Sequence, residues 1–190
     1  MKVIVFLSLV LTGFGAGASL ALPTVSKVNL SSYLGSWYEV FRLPNSFQDN
    51  TLLGGYGPCF NTTAKYSLLE NGKIRVVNTC YRSNGSKVMV EAAKANAKVV
   101  ANSGNAKLKV NFTGIPLLEH LGIGDGDYWI IDLGPKNSKG QYSYALVGAP
   151  SYKFFWLLSR NAVVSQSIVN EAINKGRALG FDTSRIKFSH

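Results

Sequence analysis

The 190 residues supply enough chain for one domain, and 46% hydrophobic with 12% aromatic content belongs to a packed core. Length therefore excludes two separately cored domains, and composition excludes a disordered chain. The net charge of +10 is spread from Lys27 to Lys187 without a long cationic run; its densest group is Lys87, Lys94, Lys98, Lys107 and Lys109, set against Glu91 alone.

At the N-terminus, Lys2 precedes an apolar run from Val3 to Leu11 and then small residues, the layout of a secretory signal peptide over residues 1–21 with cleavage after Ala18 or Ala21. The run is too short to span a bilayer. The sequence reads as a soluble exported protein, extracellular or, in a bacterial source, periplasmic, with a mature domain of residues 22–190. Loss of Lys2 lowers the charge to +9. In an exported chain that charge reads first as a solvated surface and second as attraction to an anionic membrane or ligand head group; nucleic acid is not an expected partner.

Between Trp37 and Arg160, short β-rich runs alternate with turn residues, and helical periodicity is absent. The pattern predicts strands near 36–43, 62–69, 73–82, 87–95, 106–113, 127–133, 142–148 and 153–160. Eight strands in simple succession predict an all-β, antiparallel up-and-down barrel.

Asn71-Gly72 announces a hairpin between the second and third runs. Matching their apolar sides pairs Leu68 with Ile74 and Tyr66 with Val76. That leaves Glu70, Asn71 and Gly72 as the loop and turns Tyr66, Ile74, Val76 and Asn78 toward one interior. Asn78 is an amide on an apolar stripe. Either neighbours satisfy it, or it is placed to bond a polar group of a ligand.

Cys59 and Cys80 are the only cysteines, and an oxidising compartment predicts a bond between them. In the hairpin register Cys80 lies opposite Thr62, so a straight strand would hold the two about 10 Å apart, beyond the roughly 7 Å that a disulfide spans. Pro58 marks the place where a curl would close the gap. Asn29, Asn61, Asn84 and Asn111 each open an Asn-x-Ser/Thr triplet and are glycosylation candidates in a eukaryotic secretory route.

In the sixth run Trp129 and Ile131 share one face while Tyr128 and Ile130 take the other. Tyr142 and Tyr144 share a face of the seventh run, and Phe154 and Trp156 a face of the eighth. After Arg160, Ile168, Val169, Ala172, Ile173 and Gly176 form a stripe of helical period, from an N-cap at Ser165 to a stop at Gly180. This amphipathic helix must cover the outer wall of the barrel. The alternating tail from Arg185 to Phe188 predicts one more strand at the barrel edge.

These residues carry a family resemblance. Gly35-Ser36-Trp37-Tyr38-Glu39-Val40 resembles the Gly-x-Trp segment opening the first strand of lipocalins; Gly126-Asp127-Tyr128-Trp129 and Arg160 resemble their second and third motifs, in the same order. The runs YSLLENGKIRVVN and GFDTSRI resemble the subgroup holding apolipoprotein D and the bacterial lipocalins. The resemblance implies a lipocalin barrel in which Gly35, Trp37, Asp127, Tyr128 and Arg160 are structural, with Trp37 plugging the closed end and Arg160 stacked across it. It implies that Tyr66, Asn78 and Trp129 line the pocket, to which the face assignments add Val76, Ile131 and Tyr144. No metal or other cofactor is implied. The chain departs from the subgroup in two ways: no cysteine follows Cys80 to pair as in apolipoprotein D, and none precedes Cys59 to carry the lipid anchor of bacterial members.

The resulting expectation is a secreted protein, not an enzyme, that carries or sequesters a fatty acid, lysophospholipid, sterol or pigment by burying its apolar surface. One alternative is a lipocalin-fold enzyme of isomerase type, for which His120, His190, the Asp125 and Asp127 pair, and Cys80 as a free thiol are the only candidate groups. The other is a protein-binding scaffold. Oligomeric state is left open.

Overall fold

The computed structural model describes residues 21–51, 54–112 and 124–189. The proposed signal peptide, apart from Ala21, and both histidines lie outside the described residues.

Eight antiparallel strands follow one another around a closed barrel: β1 (Gly35–Arg42), β2 (Phe60–Leu68), β3 (Ile74–Ser83), β4 (Val88–Val99), β5 (Lys107–Asn111), β6 (Asp125–Leu133), β7 (Tyr144–Gly148) and β8 (Phe155–Ser159). Closure depends on β1, whose first half pairs with β2 and whose second half pairs with β8. The β2–β3 hairpin has Leu68 opposite Ile74 and Tyr66 opposite Val76, with Gly72 at φ +78° in its loop. The polar–apolar alternation fixes this register, because a slip of one residue would turn Tyr66 and Val76 to solvent.

Two short helices were not foreseen in the sequence. α1 (Leu30–Tyr33) leads into β1, and α2 (Ser46–Asp49) begins the long β1–β2 connection. Each is a single turn capped by an asparagine: Asn29 Oδ1 accepts from the Ser32 N–H, and Asn45 Oδ1 accepts from the Gln48 N–H. Segments this short have no periodicity to read.

The long helix is α3 (Gln166–Ala178), preceded by Ser165 and followed by Gly180 at φ +97°. Val169, Ala172 and Gly176 are its buried face. They pack with Ile131, Leu146, Phe155, Leu157 and Phe181 in a core on the outside of the barrel. The approach is close: a Cβ on Gly176 would lie 2.4 Å from the Phe155 ring. Beyond the helix, β9 (Lys187–Phe188) pairs with Phe41 and Arg42 of β1, and the Asn61 N–H reaches the Ser189 carbonyl at 2.6 Å. The tail thus fills the space alongside β1 that β2 vacates.

The second core is the barrel interior, where Trp37, Tyr66, Ile74, Val76, Leu108 and Ile130 are buried together with several alanines. Both faces of the strands under α3 are consequently apolar, one packing inward and one against the helix.

Candidate functional site

The closed end of the barrel is built from the residues around α1. A helix leaves its last carbonyls without intrahelical partners, and here Arg160 supplies them: its guanidinium donates to the carbonyls of Ser32, Tyr33 and Leu34 at 3.1, 2.8 and 2.9 Å. It also reaches the Ser36 carbonyl at 2.6 Å and the Tyr142 carbonyl at 3.3 Å. The face of the guanidinium lies 3.6 Å from the centroid of the Trp37 ring, a cation–π contact worth about 1–2 kcal/mol when shielded from water. Trp37 is fully buried and its indole N–H donates to the Tyr33 carbonyl at 2.9 Å. Gly35, at φ +99°, turns the chain from α1 into β1 through a backbone conformation that residues with a Cβ rarely adopt.

Above this plug lies a floor of three tyrosines. The hydroxyls of Tyr33 and Tyr128 are 2.6 Å apart, and Tyr66 donates to Tyr128 at 3.0 Å. Burial pushes the Tyr66 hydroxyl up to about 12, and also raises those of Tyr33 and Tyr128. All three are neutral at physiological pH. The walls around them are aliphatic, and the inward positions of β4 are alanines: Ala95 and Ala97 face Val76 and Ile74 across the ladder. Small side chains there fill less of the interior than the aliphatic residues opposite them in the ladder.

Midway up β3, Asn78 sits between Ala64 and Ala93 of the neighbouring strands. It is half-buried, and its side-chain amide makes no hydrogen bond among the described residues. On the opposite wall Trp156 stacks on Phe154 at 5.7 Å, and Phe154 stacks on the exposed Phe47 of α2 at 6.0 Å. An aromatic surface therefore runs from the lumen to the mouth.

Near the mouth the interior turns ionic. Glu39, buried on β1, accepts from Arg42 at 3.0 Å, from Gln48 at 2.8 Å and from the Ser189 hydroxyl. Arg42 also holds Asp49 at 2.9 Å. Arg82, fully buried, pairs with Glu91 and donates to the carbonyls of Phe47, Asn50 and Gly57 at 2.8, 3.0 and 2.9 Å. One guanidinium thus ties the β1–β2 connection to β3. The Cys59–Cys80 disulfide ties it again, with Cα atoms 5.5 Å apart. An irregularity between Phe60 and Thr63 supplies the curl that a straight strand lacks.

Of the pocket positions suggested by the sequence, Tyr66, Val76 and Asn78 face the lumen, and Trp129, Ile131 and Tyr144 do not. Those three are corrected to the outer wall. Trp129 lies under the Lys107 ammonium, 3.9 Å from its ring centroid, and Ile131 packs beneath α3. Tyr144 borders an external groove of about 210 Å³ with Asp132, Ile168, Glu171 and Lys175. On β6 it is Tyr128, expected only as a motif residue, that enters the lumen. Alternation alone cannot choose between the faces of β6 and β7, because both are apolar. Asp127 is held by Lys109 at 2.7 Å, and Asp125 by Lys98 at 3.3 Å and by the Asn111 amide at 2.7 Å.

That last contact corrects a glycosylation candidate. Asn111 is 3% exposed, and the amide nitrogen a glycan would occupy is donating to Asp125. Asn29, Asn61 and Asn84 remain at the surface. Cys59, Cys80 and Glu91 bring potential metal donors together, but bonded sulfurs are not thiolates and do not ligate. The bond also removes Cys80 as a nucleophile, and the inward carboxylates among the described residues, Glu39 and Glu91, are each held by an arginine. Among the described residues, no helix is long and apolar enough to cross a membrane.

The model of the lipocalin-like domain matches residues 28–190. The chain is 33% identical to temperature-induced lipocalin-1 of Arabidopsis thaliana over 167 residues, covering 87% of this chain and 80% of that protein. It is 34% identical to the outer membrane lipoprotein Blc of Vibrio cholerae over 166 residues, covering 87% and 84%. Apolipoprotein D of Rattus norvegicus is 32% identical over 155 residues, covering 78% and 69%. Among solved structures, the cockroach allergen Per a 4 superposes with a TM-score of 0.59 at 14% identity, covering 88% of this chain and 90% of the allergen.

Proposed function

The chain belongs to the lipocalin family, whose members bind small hydrophobic molecules, and from that premise we propose that it is a secreted carrier or scavenger of one elongated apolar guest held in the barrel lumen. The observation that supports this most directly is the wall leading inward from the mouth: Phe47, Phe154 and Trp156 stack in sequence toward an interior lined by Tyr66, Val76, Asn78 and small alanines. Affinity comes from area, at about 25 cal/mol per Å² of apolar guest surface removed from water. The Asn78 amide supplies a polar contact that gives selectivity. Secretion is part of the same reading, supported by the leader-like residues 1–21 and by an intrachain disulfide.

Tryptophan fluorescence tests it, since Trp156 faces the lumen, Trp129 faces outward and Trp37 is sealed in the plug. An apolar probe bound in the barrel will quench the wild-type protein and Trp129→Phe, and will lose most of its effect in Trp156→Phe. Quenching that survives in Trp156→Phe and vanishes in Trp129→Phe would move the site to the outer wall and overturn the lumen reading.

A further inference from the structure

The lumen floor has a directional hydrogen-bond problem whose solution selects a guest. Three hydroxyls carry three protons, and the trio makes two hydrogen bonds. One proton is therefore left over. The Tyr66 bond is directed, with Tyr66 donating to Tyr128. The bond between Tyr33 and Tyr128 can run either way. If Tyr128 donated, the surplus proton would sit on Tyr33, which is 1% exposed and has no other hydroxyl partner. A buried donor left unmade costs about 1–3 kcal/mol. If Tyr33 donates, Tyr128 accepts from both neighbours and keeps its own proton. Tyr128 is the least buried member of the trio, partly exposed where the other two are buried, and it lies on the inward face of β6, opposite Leu108 and packed against the interior core.

The charge around the floor restricts what that proton meets. The guanidinium of Arg160 is on the far side of the Trp37 ring. Arg42 and Arg82, nearer the mouth, are paired with Glu39 and Asp49, and with Glu91. A carboxylate brought to the floor would lose its hydration for a single neutral donor, which is a poor exchange. An uncharged oxygen loses little and gains the bond.

We propose that the Tyr128 hydroxyl is a specificity element that donates to an uncharged oxygen acceptor, a ketone, ester carbonyl or alcohol, carried at the leading end of an otherwise apolar guest. This rests on the lumen reading above, and it names the chemical class that the lumen takes. A purely hydrocarbon leading end would cover the surplus donor without satisfying it.

The test uses the full mature chain with two probes of one shape, 2-undecanone and 2-methyl-1-undecene, in which a methylene replaces the carbonyl oxygen. Affinities are read by tryptophan quenching in the wild type, in Tyr128→Phe and in Tyr33→Phe. The ratio of ketone to alkene affinity is expected to fall about five- to tenfold in Tyr128→Phe, the loss of one hydrogen bond of ordinary strength. It should hold in Tyr33→Phe, where the Tyr128 proton is still present. An unchanged ratio in Tyr128→Phe, or an equal fall in both variants, would overturn the assignment while leaving the barrel a binding site. Failure of both probes to bind the wild type would overturn the lumen reading and this inference with it. The infrared carbonyl stretch of the bound ketone provides a readout that needs no variant: it should lie below its frequency in an alkane, and coincidence of the two would also overturn the proposal.

Discussion

The guanidinium of Arg160 lies over the ring of Trp37, its Cζ 3.6 Å from the ring centroid, while its nitrogens donate to five backbone carbonyls. One side chain therefore closes the barrel bottom and terminates α1. The polar edge of the plug serves backbone groups that would otherwise be orphaned. Its flat face completes the apolar seal under the tyrosine floor.

Replacing Arg160 by Met keeps an unbranched apolar stem and loses both the cation and the donors. We expect a loss of about 2–4 kcal/mol, seen calorimetrically as a fall in Tm of about 5–15 °C for a domain of this size. Arg160→Lys should recover only a minor part, because an ammonium cannot address several carbonyls in a plane. Full recovery by Lys would show that charge alone, rather than the planar fork, holds the plug.

The disulfide and Arg82 hold the same connection, so their effects should separate by observable. Cys59 and Cys80 enclose a loop with a sequence separation of 21, for which chain entropy gives about 3 kcal/mol. The Cys59→Ser, Cys80→Ser double variant should lose roughly that much by denaturant unfolding while residues 46–51 resist proteolysis, since Arg82 still holds the Phe47 and Asn50 carbonyls. Arg82→Met should cost more, about 3–5 kcal/mol, because it leaves Glu91 without its guanidinium in a partly buried position. Rapid cleavage of 46–51 in the cysteine variant would show that the disulfide, and not Arg82, orders the connection.

Alkaline pH should unfold the barrel through its floor. An unfolded tyrosine ionises near 10.0, whereas folded Tyr66 keeps its proton up to about 12. A raised folded value means that the unfolded state loses protons first, so stability is fully present below pH 10 and drains away between 10 and 12. Tyr66 alone gives about 1.4 kcal/mol per pH unit in that window, and Tyr33 and Tyr128 act in the same direction. Denaturant titrations across the window should show this slope, and Tyr66→Phe should flatten it. An equal slope in Tyr66→Phe would place the alkaline transition elsewhere in the molecule.

The hairpin register was legible because β2 and β3 alternate: Lys65 and Ser67 against Ala64 and Tyr66, Arg75 against Ile74 and Val76. The same logic misplaces Trp129, Ile131 and Tyr144, since α3 covers the outer face of β6 and β7 and makes both faces apolar. On β7 the lumen is distinguished by size, with Ala145 and Val147 inside and Tyr144 and Leu146 outside. Arg82 carried no local signal at all. The carbonyls it holds are 25 to 35 residues away, and such contacts leave no trace in the composition of either segment.

Asn78 gives the sharpest contrast between folding and binding. A structural asparagine contributes through its hydrogen bonds, and its replacement by Leu typically costs about 0.5–1.5 kcal/mol for each bond lost. Asn78 is half-buried between Ala64 and Ala93, and its side-chain amide makes no hydrogen bond to any described residue. Asn78→Leu, which keeps the branched shape and the heavy-atom count, should therefore leave the unfolding free energy unchanged or raise it by about 1 kcal/mol, as an unpaired amide gives way to apolar surface. Binding should move differently. A hydrocarbon-walled probe such as 2-methyl-1-undecene gains affinity, while a guest carrying a second oxygen at mid-chain loses it. Denaturant unfolding and fluorescence titration on the same variant decide the matter. A clear loss of stability would show that the amide is a structural member of the wall, whereas stability retained with altered guest preference identifies it as a polar contact held ready for the ligand.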